Sequence, residues 1–291
     1  MEVSAINVYA YTLPTKKTKG RIYDNVDDIV NQLYQSILHV DSIKTLPNVF
    51  FGHSLGGIIA FELSRKIENS ITLKALIVSA VKNPVLLTSL NQDPTSEFHH
   101  TQEDGTLSEY LKSIGGLPEG LDKDMLQLSL SFIRDDYKVF ETYNIKDFSK
   151  VLCPLFVMGG ISDLSVSPPT LNAWLNFSHI ECFDDVDTEP TLFQGSHFYL
   201  TEKASKSLFQ EKLLSICTKS FDILCLSCVE PLVESIEKVE IPPITSYCFI
   251  KESLSFEMGE PSSDEEISIL NLNRRDRETC FSMTKRAMQP I

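Results

Sequence analysis

The sequence has no run of about 18 apolar residues, the length a helix needs to span a bilayer. Its opening, MEVSAINVYAYTLP, has neither the basic stretch nor the apolar core of a secretory signal. Both absences predict a cytoplasmic protein. Basic residues are in the minority, 26 Lys+Arg against 40 Asp+Glu, for a formal net charge of −14. Binding nucleic acid or anionic lipid takes clustered Lys and Arg to displace counterions, so neither nucleic acid nor membrane is expected as a partner. The seven cysteines are odd in number and scattered, which argues against a disulfide framework and predicts reduced thiols. Glycine is scarce, with 12 in 291 residues, where average usage of about 7% would give about twenty. The positions of those few glycines are therefore informative.

What is present is a soluble composition, 42% hydrophobic, long enough for one large domain or two small ones. Residues 6–11 (INVYAY) form a short apolar and aromatic run that predicts a buried strand. From Asp24, the residues Val26, Ile29, Val30, Leu33, Tyr34, Ile37 and Leu38 recur at steps of three and four, predicting an amphipathic helix capped by Asp24. Residues 47–51 (PNVFF) predict a strand, 56–67 a helix and 73–80 (LKALIVSA) a strand. This alternation implies a parallel α/β sheet with right-handed crossovers. Residues 91–146 break the rhythm with helical pieces near 107–114 and 122–131 and no convincing strand, as expected of a helical insertion. The alternation resumes with a strand at 153–158 (CPLFVM), a helix near 168–175, a strand near 180–183 and a last helix at 201–216. Beyond Lys219 the chain carries one glycine, the pair Pro242-Pro243 and an acidic run at 261–266, which predicts a largely disordered acidic tail over 220–291. Its Leu, Val and Ile content allows a short helix over 224–237.

Gly52-His53-Ser54-Leu55-Gly56 fits the G-x-S-x-G nucleophile elbow and lies where an apolar strand passes directly into a helix. Small residues are needed on either side of the serine because a side chain there would strike the neighbouring backbone. A serine hydroxyl needs a base, and the base an orienting carboxylate; in this kind of sheet the chain order is Ser, acid, His. Of the six histidines, His53 sits beside the serine, so its side chain is expected to point elsewhere. His39 ends a helix, His99 and His100 belong to the insertion and His179 starts a strand, and all four are expected to be structural or solvated. His197, in the loop Gly195-Ser196-His197-Phe198 before the last helix, is where a base belongs. Asp163 follows the strand at 153–158 in Gly159-Gly160-Ile161-Ser162-Asp163, at the carboxyl edge where chemistry collects in such sheets. A turn or capping aspartate is the competing reading of Asp163 taken alone.

The stretches FGHSLGGIIAFELSRKI, GGLPEGLDKDMLQLSLSFIRDDYKVFETY, CPLFVMGGISDLSVSPPTLNAW and QGSHFYL resemble the type II thioesterases, including the vertebrate medium-chain S-acyl fatty acid synthase thioesterase, over residues 6–216. The resemblance implies an α/β-hydrolase fold with Ser54 as nucleophile, Asp163 as orienting acid, His197 as base and the Leu55 backbone N–H as an oxyanion donor. It further implies a thioesterase domain over 1–219, whose lid spans about 91–146 and carries 114–118 and 134–136 as landmarks. The expected protein is a monomer that cleaves acyl thioesters from an acyl carrier protein of a fatty acid, polyketide or nonribosomal peptide synthase. No cofactor and no metal are implied; Cys225 and Cys228 have metal spacing but no companion ligands.

Two departures stand out. The family begins with a strand and a Pro-x-Ala-Gly-Gly-like loop that supplies a second oxyanion donor, and nothing here matches either. The missing strand would lie between those at 6–11 and 47–51, so the expectation is an amino-terminally incomplete sheet open at its centre. A carboxylesterase or lipase, and a truncated non-catalytic interaction protein, are the alternatives. The basic cluster Lys16, Lys17, Lys19 and Arg21 is a candidate carrier-protein contact, or else a solvated loop.

Overall fold

Apolar strands alternating with amphipathic helices build a seven-stranded sheet in the order β5-β4-β3-β2-β6-β1-β7. The structure is a computed structural model that describes residues 5–12, 23–67, 69–117, 120–178, 189–221, 246–253 and 267–270. The strands are β1 (Ala5–Thr12), β2 (Asn48–His53), β3 (Leu73–Ser79), β4 (Leu155–Gly160), β5 (Thr191–Phe193), β6 (Ser246–Ser253) and β7 (Ile267–Leu270). The neighbours β2 to β5 are parallel, as the alternation predicts.

Strands β2 and β4 are buried at every residue, as a sheet covered on both faces requires, and their side chains divide between two cores with a period of two. Phe50, Leu76, Val78, Leu155 and Val157 face helices α1 (Val26–Leu38) and α3 (Leu55–Ile67) and the buried Trp174. Val49, Phe51, Ala75, Ile77, Phe156 and Met158 face Phe209, Leu213 and Leu214 of α8 (Lys206–Ser220). Helix α1 starts one residue later than expected. Its cap is Asn25, whose side-chain oxygen accepts the Asp28 N–H at 2.9 Å, while Asp24 is exposed.

The centre of the sheet is closed, contrary to the sequence expectation. Strand β6 from the tail lies antiparallel between β1 and β2, so that Val8 and Val49 both pair with Ile250. Because β1 and β2 both run antiparallel to β6, they share one direction, as they would beside a parallel strand in that slot. Strand β7 covers the other edge of β1. Two segments of the tail, 246–253 and 267–270, are thus strands of the sheet. The rest of the tail, including the helix expected at 224–237 and Cys225 and Cys228, lies outside the described residues. So do the strand expected at 180–183, His179 and the basic cluster at 16–21; the strand beside β4 is β5, a short element near the base loop.

The insertion is helical among the described residues: α4 (Pro84–Gln92), a 3-10 turn at His99–Thr101, α5 (Asp104–Ser113) and α6 (Lys123–Glu141). Helix α6 runs ten residues beyond the expected end at 131, because its apolar stripe continues through Ile133 and Val139. Leu107, Leu111, Ile114, Leu130 and Ile133 form a separate small core that reaches the sheet through Phe198. The short helix α7 (Pro168–Leu171) follows β4 and passes into a 3-10 turn at Asn172–Phe177. Among the described residues no helix is long and apolar enough to cross a membrane.

Candidate active site

Ser54 occupies the single step between β2 and α3 at φ 55°. Among the described residues it shares positive φ with one other non-glycine, Ala80, in a region that is strained for a residue bearing a Cβ. The strain is held from both sides. A Cβ on Gly52 would stand 2.1 Å from the Gly56 carbonyl oxygen, and one on Gly57 would stand 2.6 Å from Val81 Cγ1, so only glycines let the strand and helix turn this tightly. The Ser54 N–H donates to the Ser79 carbonyl at 2.8 Å, fixing the elbow to β3. Leu55 is the first residue of α3, so its N–H has no acceptor within the helix and points from the positive end of the helix dipole, a position suited to an oxyanion.

Asp163 lies in the loop after β4, as expected at the carboxyl edge. Its Oδ2 is 2.8 Å from His197 Nδ1. Its Oδ1 accepts the Ser165 N–H at 2.8 Å, the Ser165 hydroxyl at 2.6 Å and the Val166 N–H at 3.2 Å. Burial pushes the Asp163 carboxyl upward, but the hydrogen bond and charge of His197 and the Ser165 donors outweigh it and hold the group below the usual carboxylate range. Ser165 Oγ also lies 3.0 Å from His197 Nδ1, so one serine braces acid and base together. The loop carrying His197 is held by Glu202, which accepts the Ser196 N–H at 2.8 Å and the Ser196 hydroxyl at 2.5 Å. Sequence reading found neither brace; the Asp-x-Ser spacing of Asp163 and Ser165, typical of Asx turns, was the available signal for the first.

Ser54 and His197 line the same cavity. No hydrogen bond joins the hydroxyl to the imidazole among the described residues, and in unliganded sites such bonds commonly tighten only around substrate. The His53 ring lies 5.1 Å from that of His197. Its Nδ1 is 2.9 Å from Ser79 Oγ, which is 2.7 Å from the Tyr199 hydroxyl. Burial, and then the charge of His197, holds His53 well below 6.5, so a neutral ring packs beside the base.

The cavity, of about 240 Å³, runs from Ser54 under the insertion, near the lower end of ligand pockets at about 300–1,000 Å³. Leu87, Leu90, Leu111, Ile114, Phe140 and Phe198 give it an apolar wall, interrupted by Lys82, His99, Tyr110, Asp136 and Tyr137. The insertion thus forms one side of the cavity. His99 and His100 are half-buried: His99 stacks on Tyr110 with centroids 3.9 Å apart, and His100 Nδ1 is 2.6 Å from Glu141 Oε2.

The profile of the Thioesterase domain family matches residues 2–221. The chain belongs to the thioesterase family. It is 26% identical over 202 residues to the linear gramicidin dehydrogenase LgrE of Brevibacillus parabrevis, covering 67% of this thioesterase and 68% of that protein. It is 28% identical over 203 residues to the gramicidin S biosynthesis protein GrsT of Aneurinibacillus migulanus, covering 68% and 73%. The human medium-chain S-acyl fatty acid synthase thioesterase is 23% identical over 222 residues, covering 72% and 76%. Among solved structures, the type II thioesterase BorB from the borrelidin biosynthetic cluster superposes with a TM-score of 0.53 at 30% identity, covering 68% of this chain and 74% of that one.

Proposed function

We propose that this thioesterase is a serine hydrolase that releases carboxylic acids from acyl thioesters on the phosphopantetheine arm of a carrier protein. The observation that carries the reading is the strained Ser54, opening onto the same cavity as an imidazole held by Asp163. Ser54 Oγ attacks the thioester carbonyl as His197 takes its proton, and the Leu55 N–H receives the developing oxyanion. Collapse of the tetrahedral intermediate expels the thiol, protonated by His197. Water, deprotonated by the same ring, then attacks the acyl-Ser54 ester and frees the acid. Asp163 and Ser165 keep His197 in the tautomer whose Nδ1 carries the proton, leaving its other nitrogen to act as base.

The gramicidin S relative and BorB, named for peptide and borrelidin biosynthesis, support a carrier-bound substrate over a free ester. With one oxyanion donor assigned, turnover is expected about 10²–10³ below that of a two-donor site. The test compares acyl-carrier protein, acyl-CoA and p-nitrophenyl ester hydrolysis by wild-type and Ser54→Ala protein. Preference for the carrier thioester, lost in the variant, supports the reading; preference for the simple ester returns it to the carboxylesterase class.

A further inference from the structure

Helix α6 contributes Asp136 to the cavity wall, which also carries Glu97 and Glu141; Glu141 is taken up by the His99 and His100 N–H groups and the His100 ring. Asp136 lines the acyl cavity together with Tyr110 and Tyr137, two phenols hydrogen-bonded to one another. Among the described residues Asp136 has no hydrogen-bond or ion-pair partner. Of the two cations two residues away in sequence, Arg134 is engaged by the His100 and Gln102 carbonyls and by Asp104, and Lys138 is exposed. Lys82, in the same cavity, donates to the Ser165 carbonyl.

A half-buried carboxyl without a partner is costly. Burial, and then the charge of Asp135, pushes Asp136 up to about 8, so at neutral pH it is chiefly the protonated acid. In that form it presents one O–H donor and free acceptor capacity. A plain alkyl chain satisfies neither. A hydroxyl satisfies both, being itself donor and acceptor.

We propose that Asp136 is a specificity-determining residue that hydrogen-bonds a hydroxyl group on the acyl chain, so that the cavity takes hydroxyacyl groups in preference to plain acyl groups. This rests on the acyl-thioesterase reading above and names its substrate class.

The test separates binding from turnover. Ser54→Ala protein is titrated calorimetrically with octanoyl-pantetheine thioether analogues carrying a hydroxyl at successive chain carbons, beside the unsubstituted analogue. At one hydroxyl position affinity is expected to rise about tenfold, the worth of a good buried hydrogen bond. Adding Asp136→Leu abolishes that gain, and Asp136→Asn, which keeps a donor and an acceptor, restores part of it. If the leucine variant does not fold, Asp136→Ala is titrated instead. The proposal is overturned if no hydroxyl position outbinds the plain chain, or if the gain survives loss of the carboxyl. Hydrolysis of the corresponding thioesters by protein with Ser54 intact is measured separately. Absence of thiol release alongside a carboxyl-dependent binding preference would overturn the hydrolase reading and leave the assignment of Asp136 standing.

Discussion

A methyl group on Gly160 would stand 2.1 Å from the carbonyl oxygen of Ser196. The loop that carries the acid therefore lies backbone against backbone on the loop that carries the base, and the Ser162 N–H to Gly195 carbonyl bond of 2.9 Å ties them together. In Gly160→Ala the backbone must give way, displacing Asp163 from His197. In Gly159→Ala the new methyl meets Leu171 Cδ1 at 2.4 Å, the far end of a side chain that can rotate, at a cost of about 1–3 kcal/mol. Gly160→Ala is expected to lose about 10² or more in kcat/KM, and Gly159→Ala mainly thermal stability. Equal kinetic losses in the two would contradict the packing argument.

Asp163→Asn leaves a group of the same size but removes the charge that fixes the His197 tautomer. A fall in kcat of about 10³–10⁴ is expected, with the melting temperature little changed. Ser165→Ala removes one of two partners at His197 Nδ1 and is expected to cost about tenfold. Steady-state kinetics on one acyl-pantetheine substrate gives the ranking, and a larger loss for Ser165→Ala than for Asp163→Asn would contradict the assigned roles.

Asp136 gives the stability a defined pH dependence. Its folded value of about 8 stands above the ordinary 3.8, so the stability linked to it is fully present below 3.8 and is lost as pH rises toward 8. Asp136→Asn is therefore expected to melt several degrees above wild type at pH 8, with the difference shrinking toward pH 4. Thermal melts across that range check the sign; a variant less stable than wild type at pH 8 would contradict it.

The tail strand is a structural requirement in this fold. A chain ending at residue 221 keeps the triad but leaves β1 and β2 facing each other across an unfilled slot, each with an open ladder. Such a chain is expected to aggregate or to melt without cooperativity, whereas one ending at residue 271 keeps β6 and β7 and melts as a unit. Calorimetry of both decides it. A cooperative transition at the full-length temperature for the shorter chain would contradict the role of β6.

The elbow at Ser54 and the placement of Asp163 and His197 were legible because their signals are local: small residues around Ser54, and glycine-led loops before Asp163 and His197. The helices were legible through their apolar periodicity, although choosing Asn25 over Asp24 as cap takes coordinates, since both residue types suit that position. Strand β6 was not legible, because its pairing of Ser246 with Thr12 and Tyr247 with Gly52 joins segments far apart in the chain, and no nearby residue declares such a partner. The braces Ser165 and Glu202, and the neutral ring of His53 beside His197, depend on loops meeting in space. Composition and spacing do not record those meetings.

Ser54 is the residue expected to accept the acyl group. Rapid mixing with an acyl-pantetheine substrate, quenching in acid and mapping of the adduct by peptide mass spectrometry test it directly. The expected result is a burst of free thiol with the acyl group on Ser54, absent in Ser54→Ala. Thiol release with the acyl group on another residue, or undiminished release by Ser54→Ala, would contradict the account.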